Sequence, residues 1–197
     1  MAYLLLQGKP EVSKSRLSSI LSLDQRIGLM KFGIANMVTM VGLDDLLILA
    51  EDASASELGT AFGVRTIVQS DPDVNNSLDQ MLERETLHTY GFVTIVSNDL
   101  PFLDNIDLLP TMKDTNEVQI TPDQHLRGTN MLRLSTRSPF RFHYGVDSFS
   151  KHLAEARSRE LKLRVLGNPM AFDIDTPEDF ELARELFPTS SLWGGTP

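Results

Sequence analysis

Short apolar runs alternate with amphipathic stretches along this 197-residue chain. The run LLILA (46–50) is apolar at every position, and GFVTIVS (91–97) is rich in β-branched residues. Such runs are typical of strands that are covered on both faces. Elsewhere, apolar residues recur at intervals of three and four, as they do on one face of a helix. Strands that alternate with helices predict one α/β domain with a mostly parallel sheet.

The composition agrees with a folded domain and excludes several classes of protein. Hydrophobic residues make up 41% of the chain and charged residues 23%, which is enough for a full core. The net charge of −9 would repel a phosphate backbone and so argues against nucleic acid as a partner. Without cysteine, disulfides and thiolate metal sites are excluded. The apolar run at 3–6 is too short for a signal peptide or a membrane span, so we expect a cytoplasmic protein.

Local signals predict where several elements begin. Ser22 and Gln25 form a capping-box pattern, Thr176 with Pro177 is typical of a helix start, and Asp147 is placed to cap the helix that follows it. The domain is expected to span 1–188, with 189–197 as a tail. Further strands are expected at 3–7, 66–68, 118–121, within 125–134 and at 163–166, and helices over 27–41, 54–62, 77–87, 103–112 and 149–156.

Three aspartates stand where a parallel sheet binds ligands, beyond the carboxyl ends of its strands. Asp99 follows the strand at 91–97, and Asp173 and Asp175 alternate with apolar residues before the last helix. In an extended segment the latter two point to the same side, with Cα atoms about 6–7 Å apart. Three converging carboxylates would suit Mg²⁺. A simpler interpretation makes Asp99 a turn residue and Asp175 a helix cap, but it leaves Asp173 unexplained.

The loop after the first strand, GKPEVSKSRLS (8–18), carries Lys9, Lys14 and Arg16 in an otherwise acidic protein. Arginine can bind phosphate oxygens in pairs and lysine acts as a point charge, so the loop could hold a triphosphate. The alternative is a solvated basic loop. The chain lacks both the P-loop pattern and G-x-G-x-x-G, and this disfavours a dinucleotide-binding dehydrogenase.

Two glycine turns could hold an anion. In HYGVDSF (143–149), Gly145 precedes a helix whose first turn contains Ser148, and free amides there would favour negative charge. In RGTN (127–130), Thr129 and Asn130 can also donate hydrogen bonds. Either segment could instead be an ordinary turn or cap. The four histidines show no metal-ligand spacing and are expected to be structural or on the surface.

Six motifs follow one another along nearly the whole chain. They are KPEVSKSRLS (9–18), VNNSL (74–78), VSNDLPFL (96–103), GTNML (128–132), YGVDSF (144–149) and FDIDTPEDF (172–180). Taken in this order, they resemble the 2-phospho-L-lactate guanylyltransferases of coenzyme F-420 biosynthesis, which are relatives of the molybdenum-cofactor guanylyltransferases.

The resemblance implies a single three-layer α/β/α nucleotidyltransferase domain, Rossmann-like and glycosyltransferase-A-like, with a mostly parallel mixed sheet. It implies transfer of GMP from GTP to a small phosphorylated carboxylic acid, with Mg²⁺ as cofactor and release of pyrophosphate. The acid is 2-phospho-L-lactate, phosphoenolpyruvate or 3-phospho-D-glycerate, and the residues alone do not choose among them. A homodimer is compatible with the resemblance.

The resemblance also implies roles for individual residues, which we assign in three groups. The metal ligands are Asp99, Asp173 and Asp175, the nucleotide ligands are Lys9, Lys14, Arg16 and Asn75, and the acceptor ligands are Thr129, Asn130, Gly145 and Ser148. One departure affects the first loop: Gln7 and Gly8 stand where many relatives have a proline before the first lysine position. Lys9 is therefore a weaker assignment than Lys14.

Two other functions stay open at this point. A nucleotidyltransferase that makes a molybdenum-cofactor dinucleotide or an activated sugar would use the same aspartates. A catalytically silent nucleotide-binding or partner-binding module could also keep the fold, although the presence of all three aspartates argues against it.

Overall fold

The computed structural model describes residues 1–83, 87–98, 100, 110–167, 172–186 and 188. The strands among these residues are β1 (Ala2–Gln7), β2 (Leu46–Ala50), β3 (Arg65–Val68), β4 (Phe92–Ser97), β5 (Glu117–Pro122), β6 (Thr129–Ser135) and β7 (Lys162–Val165). The helices are α1 (Leu23–Val41), α2 (Ala53–Thr60), α3 (Val74–Glu83), α4 (Ser148–Ser158) and α5 (Pro177–Leu186), and a short 3₁₀ helix (Ser15–Ser19) precedes α1.

The described strands form one sheet in the order β3-β2-β1-β4-β6-β5-β7. All of them run parallel except β6, which is antiparallel to both β4 and β5. The predicted mostly parallel mixed sheet is therefore confirmed. Because β6 runs backwards, its first residues, Thr129 and Asn130, lie at the edge where the neighbouring strands end: Thr129 is opposite Pro122, the last residue of β5.

Strand β2 shows why the apolar run LLILA is continuous. Leu47 and Leu49 belong to the core cluster that also contains buried residues of α3 and α4. Ile48 and Ala50 belong to the cluster on the opposite face, with buried residues of α1 and α2. Each side chain of the strand therefore faces a helix layer, and all five residues are buried. This arrangement confirms the predicted three-layer α/β/α architecture.

A third, smaller core cluster joins the 3₁₀ helix near the beginning of the chain to the last described helix, α5. Leu17 of the 3₁₀ helix packs with Ile174 and with Ala183 of α5, and all three are at most 2% exposed. This apolar contact holds the basic first loop beside the segment that carries Asp173 and Asp175.

Two of the three predicted helix caps are confirmed. The Ser22 hydroxyl accepts from the Gln25 amide at 3.3 Å, and the Gln25 side chain accepts from the Ser22 amide at 2.8 Å. Thr176 and Asp179 form the same reciprocal pair at the start of α5, with bonds of 3.2 and 2.8 Å.

The prediction that Asp147 caps α4 with its side chain is wrong. Asp147 occupies the N-cap position, but its φ of 55° puts it in the left-handed region, and its side chain makes no capping hydrogen bond. The carboxylate is instead directed to Arg127, whose Nε lies 3.4 Å from Asp147 Oδ1.

The other boundaries agree with the sequence predictions to within a few residues where they can be compared. Helix α3 begins three residues before its predicted start because the Asp73 carboxylate accepts from the Asn75 amide at 2.9 Å and so caps the helix earlier. Most of the predicted helix at 103–112 lies outside the described residues, as do Asp99 and the predicted tail at 189–197. Within the described part of the chain, no helix is long and apolar enough to cross a membrane.

Candidate active site

A cleft of about 690 Å³ opens at the carboxyl edge of the sheet. Its lining comes from Arg16 and from residues within three segments, 123–128, 145–147 and 173–179. The first of these segments is the turn that joins the end of β5 to the start of β6. Ligands of open parallel sheets bind at this edge, so the cleft is the candidate active site.

Asp173 and Asp175 both line this cleft. Ile174, which stands between them, is 2% exposed and is held in the small core cluster with Leu17. Asp173 is buried, and the Asn130 side-chain amide donates to its Oδ1 at 3.5 Å. The Asp175 side chain is 40% exposed. The alternation of apolar and acidic residues thus anchors the segment through its middle residue and presents both carboxylates to the cleft.

Two cations of the first loop meet Asp175. Lys14 Nζ donates to Asp175 Oδ1 at 2.9 Å and to the Ile174 carbonyl at 2.8 Å, and its side chain is only 9% exposed. Arg16 Nη1 lies 3.5 Å from Asp175 Oδ2, but 72% of its side chain is exposed. Lys14 therefore joins the first loop to the acidic segment, whereas Arg16 lines the cleft with a largely exposed side chain.

Backbone strain accompanies these contacts. Lys14, Leu126 and Asp147 have φ values of 56°, 57° and 55°, in the left-handed region. This conformation costs a residue with a Cβ about 1 kcal/mol. Each of the three lies in or beside a segment that contributes to the cleft, and strained residues of this kind cluster at functional sites.

Two backbone amides at the start of α4, which the sequence analysis expected to be free, make hydrogen bonds within the protein. The Ser148 amide donates to the Gly145 carbonyl at 3.1 Å, and the Phe149 amide donates to the Arg127 carbonyl at 2.9 Å. The expectation of free amides here is wrong for these two groups, because nearby carbonyls already accept their hydrogen bonds. Gly145 lines the cleft with a φ of 116°, a conformation that glycine adopts readily.

Thr129 makes a buried hydrogen bond that the sequence did not indicate. Its Oγ1 lies 2.9 Å from His152 Nδ1, and His152 Nε2 accepts from the His143 amide at 2.9 Å. Burial, assisted by nearby His143, lowers the pKa of His152 to about 3, against a smaller opposing effect of Glu155. His152 is therefore neutral at physiological pH. A lone histidine in an amphipathic helix carries no sequence signal for such a role.

Two predicted nucleotide ligands make other contacts. The Asn75 side chain accepts from the Tyr144 amide at 2.6 Å and donates to the Tyr144 carbonyl at 3.1 Å, so it holds the segment before Gly145. Lys9 pairs with Glu51 at 3.3 Å and is not among the described residues that line the cleft. Their roles at the nucleotide remain predictions.

The structure adds the turn of residues 123–128, which the sequence analysis overlooked. The Asp123 carboxylate accepts from the amides of His125, Arg127 and Gly128 at 2.7–3.0 Å. A Cβ at Gly128 would lie 2.8 Å from Asp123 Oδ2, so a side chain there would displace the carboxylate that these amides hold. The turn holds the Arg127 backbone and leaves 71% of its side chain exposed at the cleft. The signal that could have indicated Arg127 from the sequence is its position directly before G-T-N in an acidic chain.

Asp179 is a second overlooked residue of the cleft. Burial by itself would raise the pKa of this carboxyl, but hydrogen bonds from Thr176, the Asp175 amide and Gln124 outweigh it and lower the pKa. Asp179 therefore stays ionised, and its bonds fix the segment that carries the two aspartates.

Solved structures show which class of fold this is. A cytidylyltransferase from Leptospira borgpetersenii matches with a TM-score of 0.61 and 14% identity, over 96% of this chain and 88% of that one. The inositol-1-phosphate CTP transferase from T. maritima matches with a TM-score of 0.58 and 12% identity, over 100% and 97%. The fold is that of the nucleotidyltransferases.

Sequence comparison identifies the family. The model of the family described as "Guanylyl transferase CofC like" matches residues 4–187, so the chain belongs to that family and is a nucleotidyltransferase enzyme. Phosphoenolpyruvate guanylyltransferase of Sphaerobacter thermophilus is 31% identical over 176 residues, which are 86% of this chain and 85% of that protein. The predicted family is confirmed.

Two further relatives carry the names of other acceptors. The 2-phospho-L-lactate guanylyltransferase of Methanocaldococcus vulcanius is 26% identical, over 84% of this chain and 76% of that protein. The 3-phospho-D-glycerate guanylyltransferase of Colwellia psychrerythraea is 25% identical, over 88% and 86%.

Proposed function

We propose that this protein transfers GMP from GTP to a small phosphorylated carboxylic acid and releases pyrophosphate, as a step of coenzyme F-420 biosynthesis. The observation that carries the proposal is the cleft itself, which Asp173 and Asp175 line together with Arg16, Arg127 and Gly145. Membership of the guanylyl transferase family supports GTP as the donor. The names of the relatives supply three candidate acids.

The chemistry needs alignment more than it needs a proton acceptor. An oxygen of the acceptor phosphate attacks the α-phosphorus of GTP and forms a new P–O bond. The bond from the α-phosphorus to the oxygen that bridges to the β-phosphate breaks, and pyrophosphate leaves with that electron pair. A phosphate monoester has a second pKa of about 6, so its attacking oxygen is already largely deprotonated at neutral pH. The protein must therefore orient the groups and neutralise their charge.

Magnesium fits the residues that are available. Among the described residues no group of three acidic, histidine or cysteine side chains could hold a metal ion, and the third predicted ligand, Asp99, lies outside them. Mg²⁺ commonly binds through one or two carboxylates together with substrate phosphates, so Asp173 and Asp175 would suffice for the protein's share. When bound, the ion would neutralise charge on the reacting phosphates.

In this proposal, each of the two arginines that line the cleft binds a different substrate. Arg16 lies beside Asp175, at the end where the triphosphate would meet the acidic segment. Arg127 lies beside Asp147 and its carbonyl accepts from the start of α4, at the end assigned to the acceptor. An arginine can donate two parallel hydrogen bonds to a phosphate or a carboxylate, so Arg127 suits the carboxylate of the acid.

Phosphoenolpyruvate is the acceptor that we would test first, because it is the substrate in the name of the Sphaerobacter thermophilus relative. The experiment incubates the purified protein with GTP, Mg²⁺ and each of the three acids. Mass spectrometry identifies the guanylylated product, and released pyrophosphate gives the rate. CTP and UTP serve as alternative donors. Absence of any guanylylated product with all three acids would refute the proposal.

A further inference from the structure

Both ring nitrogens of His152 are engaged in hydrogen bonds inside the protein. The residue is fully buried, with 0% of its surface exposed, and it lies on α4. Its Nε2 is 2.9 Å from the His143 amide nitrogen, and its Nδ1 is 2.9 Å from Thr129 Oγ1. Because the first partner is a backbone amide, the direction of both bonds can be worked out.

A backbone amide can only donate a hydrogen bond. His152 Nε2 must therefore accept from His143 and cannot carry a proton. A neutral imidazole then has its proton on the other nitrogen, so Nδ1 donates to Thr129 Oγ1. The Thr129 hydroxyl uses a lone pair for this bond and keeps its own proton for a different partner.

Thr129 lies beside residues of the cleft, although Thr129 itself is not among the described residues that line it. Within the described ranges, Thr129 Oγ1 makes no other hydrogen bond than the one to His152. Thr129 follows Gly128, which lines the cleft, and precedes Asn130, whose side chain reaches Asp173. It is 4% exposed and lies at the first position of β6, at the edge of the sheet where the cleft opens.

We propose that His152 is a positioning residue, which holds the Thr129 hydroxyl as a hydrogen-bond donor to an anionic oxygen of the acceptor acid. The inference rests on the proposed function, since it names a device of the same site. An anionic oxygen has lone pairs and no proton, so a hydroxyl that is already committed as an acceptor to His152 matches it. A free hydroxyl could rotate through all of its orientations, whereas this one must keep a lone pair toward His152, which leaves fewer directions for its proton.

Two substitutions separate this role from packing. The amide of glutamine in H152Q lies near the place of Nε2, where its oxygen can accept from the His143 amide, but it cannot donate to Thr129. The amide of asparagine in H152N lies near the place of Nδ1, where its nitrogen can donate to Thr129, but it cannot reach His143. Both variants lose the ring, so both lose packing.

The two variants are expected to differ in the KM for the acceptor. H152Q should raise the KM for the acceptor about tenfold and leave the KM for GTP nearly unchanged, since a hydrogen bond to a charged group is involved. H152N should recover most of that loss. In a T129V background, where the hydroxyl is absent, H152Q should cause no further rise.

Equal effects of H152Q and H152N on the acceptor KM would overturn the inference, and so would a parallel rise in the KM for GTP. A second measurement needs no activity: long-range ¹H–¹⁵N correlation spectra of the histidine side chains report the tautomer of His152. A proton on Nδ1 is expected, and a proton on Nε2 would overturn the inference. Wild-type protein that forms no product with any of the acids would refute the proposed function itself, and the spectrum would still report the tautomer.

Discussion

Acid should destabilise this protein through His152 in particular. In the unfolded chain the imidazole has its ordinary pKa of 6.5, whereas burial lowers the pKa to about 3 in the folded protein, assisted by His143 and opposed by Glu155. Between these values the unfolded chain binds a proton that the folded protein does not bind. The free energy of unfolding therefore falls as the pH falls from about 6.5 toward 3, and above 6.5 His152 has almost no effect on its pH dependence.

The size of the effect follows from the linkage relation. Each pH unit within this window costs about 1.4 kcal/mol, so lowering the pH from 7 to 5 should remove about 2 kcal/mol of stability through His152 alone. That is a substantial part of the 5–15 kcal/mol that is typical of a whole domain. The hydrogen-bond geometry also predicts that acid lowers stability, because protonating Nε2 would break its hydrogen bond from the His143 amide.

The assay is urea unfolding followed by circular dichroism at pH 7 and pH 5. H152Q lacks the titrating group, so its loss of stability between the two pH values should be smaller than that of wild type by about 2 kcal/mol. Carboxylates are common to both proteins and cancel in the difference. H125Q is the matched control, since His125 is exposed, and it should behave like wild type. Equal losses in wild type and H152Q would refute the reasoning.

Three further predictions test the cleft. Asp173→Asn should keep the circular dichroism spectrum and lower the rate of pyrophosphate release about 100-fold or more, and a near-normal rate would contradict its role as a metal ligand. Arg127→Gln should raise the KM for the acceptor about tenfold, while Arg16→Gln should do so for GTP, and the reverse pattern would exchange their assignments. Gly128→Ala should lower stability by about 1–3 kcal/mol in urea unfolding, because three amides hold the Asp123 carboxylate that the new Cβ would meet; an unchanged midpoint would show that the turn can open.

Much of the fold could be predicted from the sequence because the signals are local. The run LLILA faces a helix layer on each side, as its continuous apolar pattern required. The caps at Ser22 and Thr176 each join groups three residues apart, so the chain carries both partners within one turn. The order of motifs along the chain was enough to identify the family.

Contacts between distant segments could not be predicted in the same way. Asp147 has the residue type of a helix cap, but its left-handed backbone turns it toward Arg127 instead. Likewise, the alternation in FDIDTPEDF indicated two carboxylates on the same side of the segment, but it did not indicate that Lys14 would pair with one of them from 161 residues away. Helix propensity and side-chain chemistry act over a few residues, and neither specifies such pairings.

By itself, the sequence determined the layers, the positions of most strands and helices and the family, since hydrophobic periodicity and neighbouring hydrogen-bond partners are encoded within short windows. Only the tertiary structure decided that β6 runs antiparallel, which brings Thr129 and Asn130 to the same edge as the cleft. It also decided the state of His152, because a ring's tautomer depends on the amide and the hydroxyl that the packed chain places on either side of it. Strand direction and burial arise from long-range packing, and packing is a property of the folded chain as a whole.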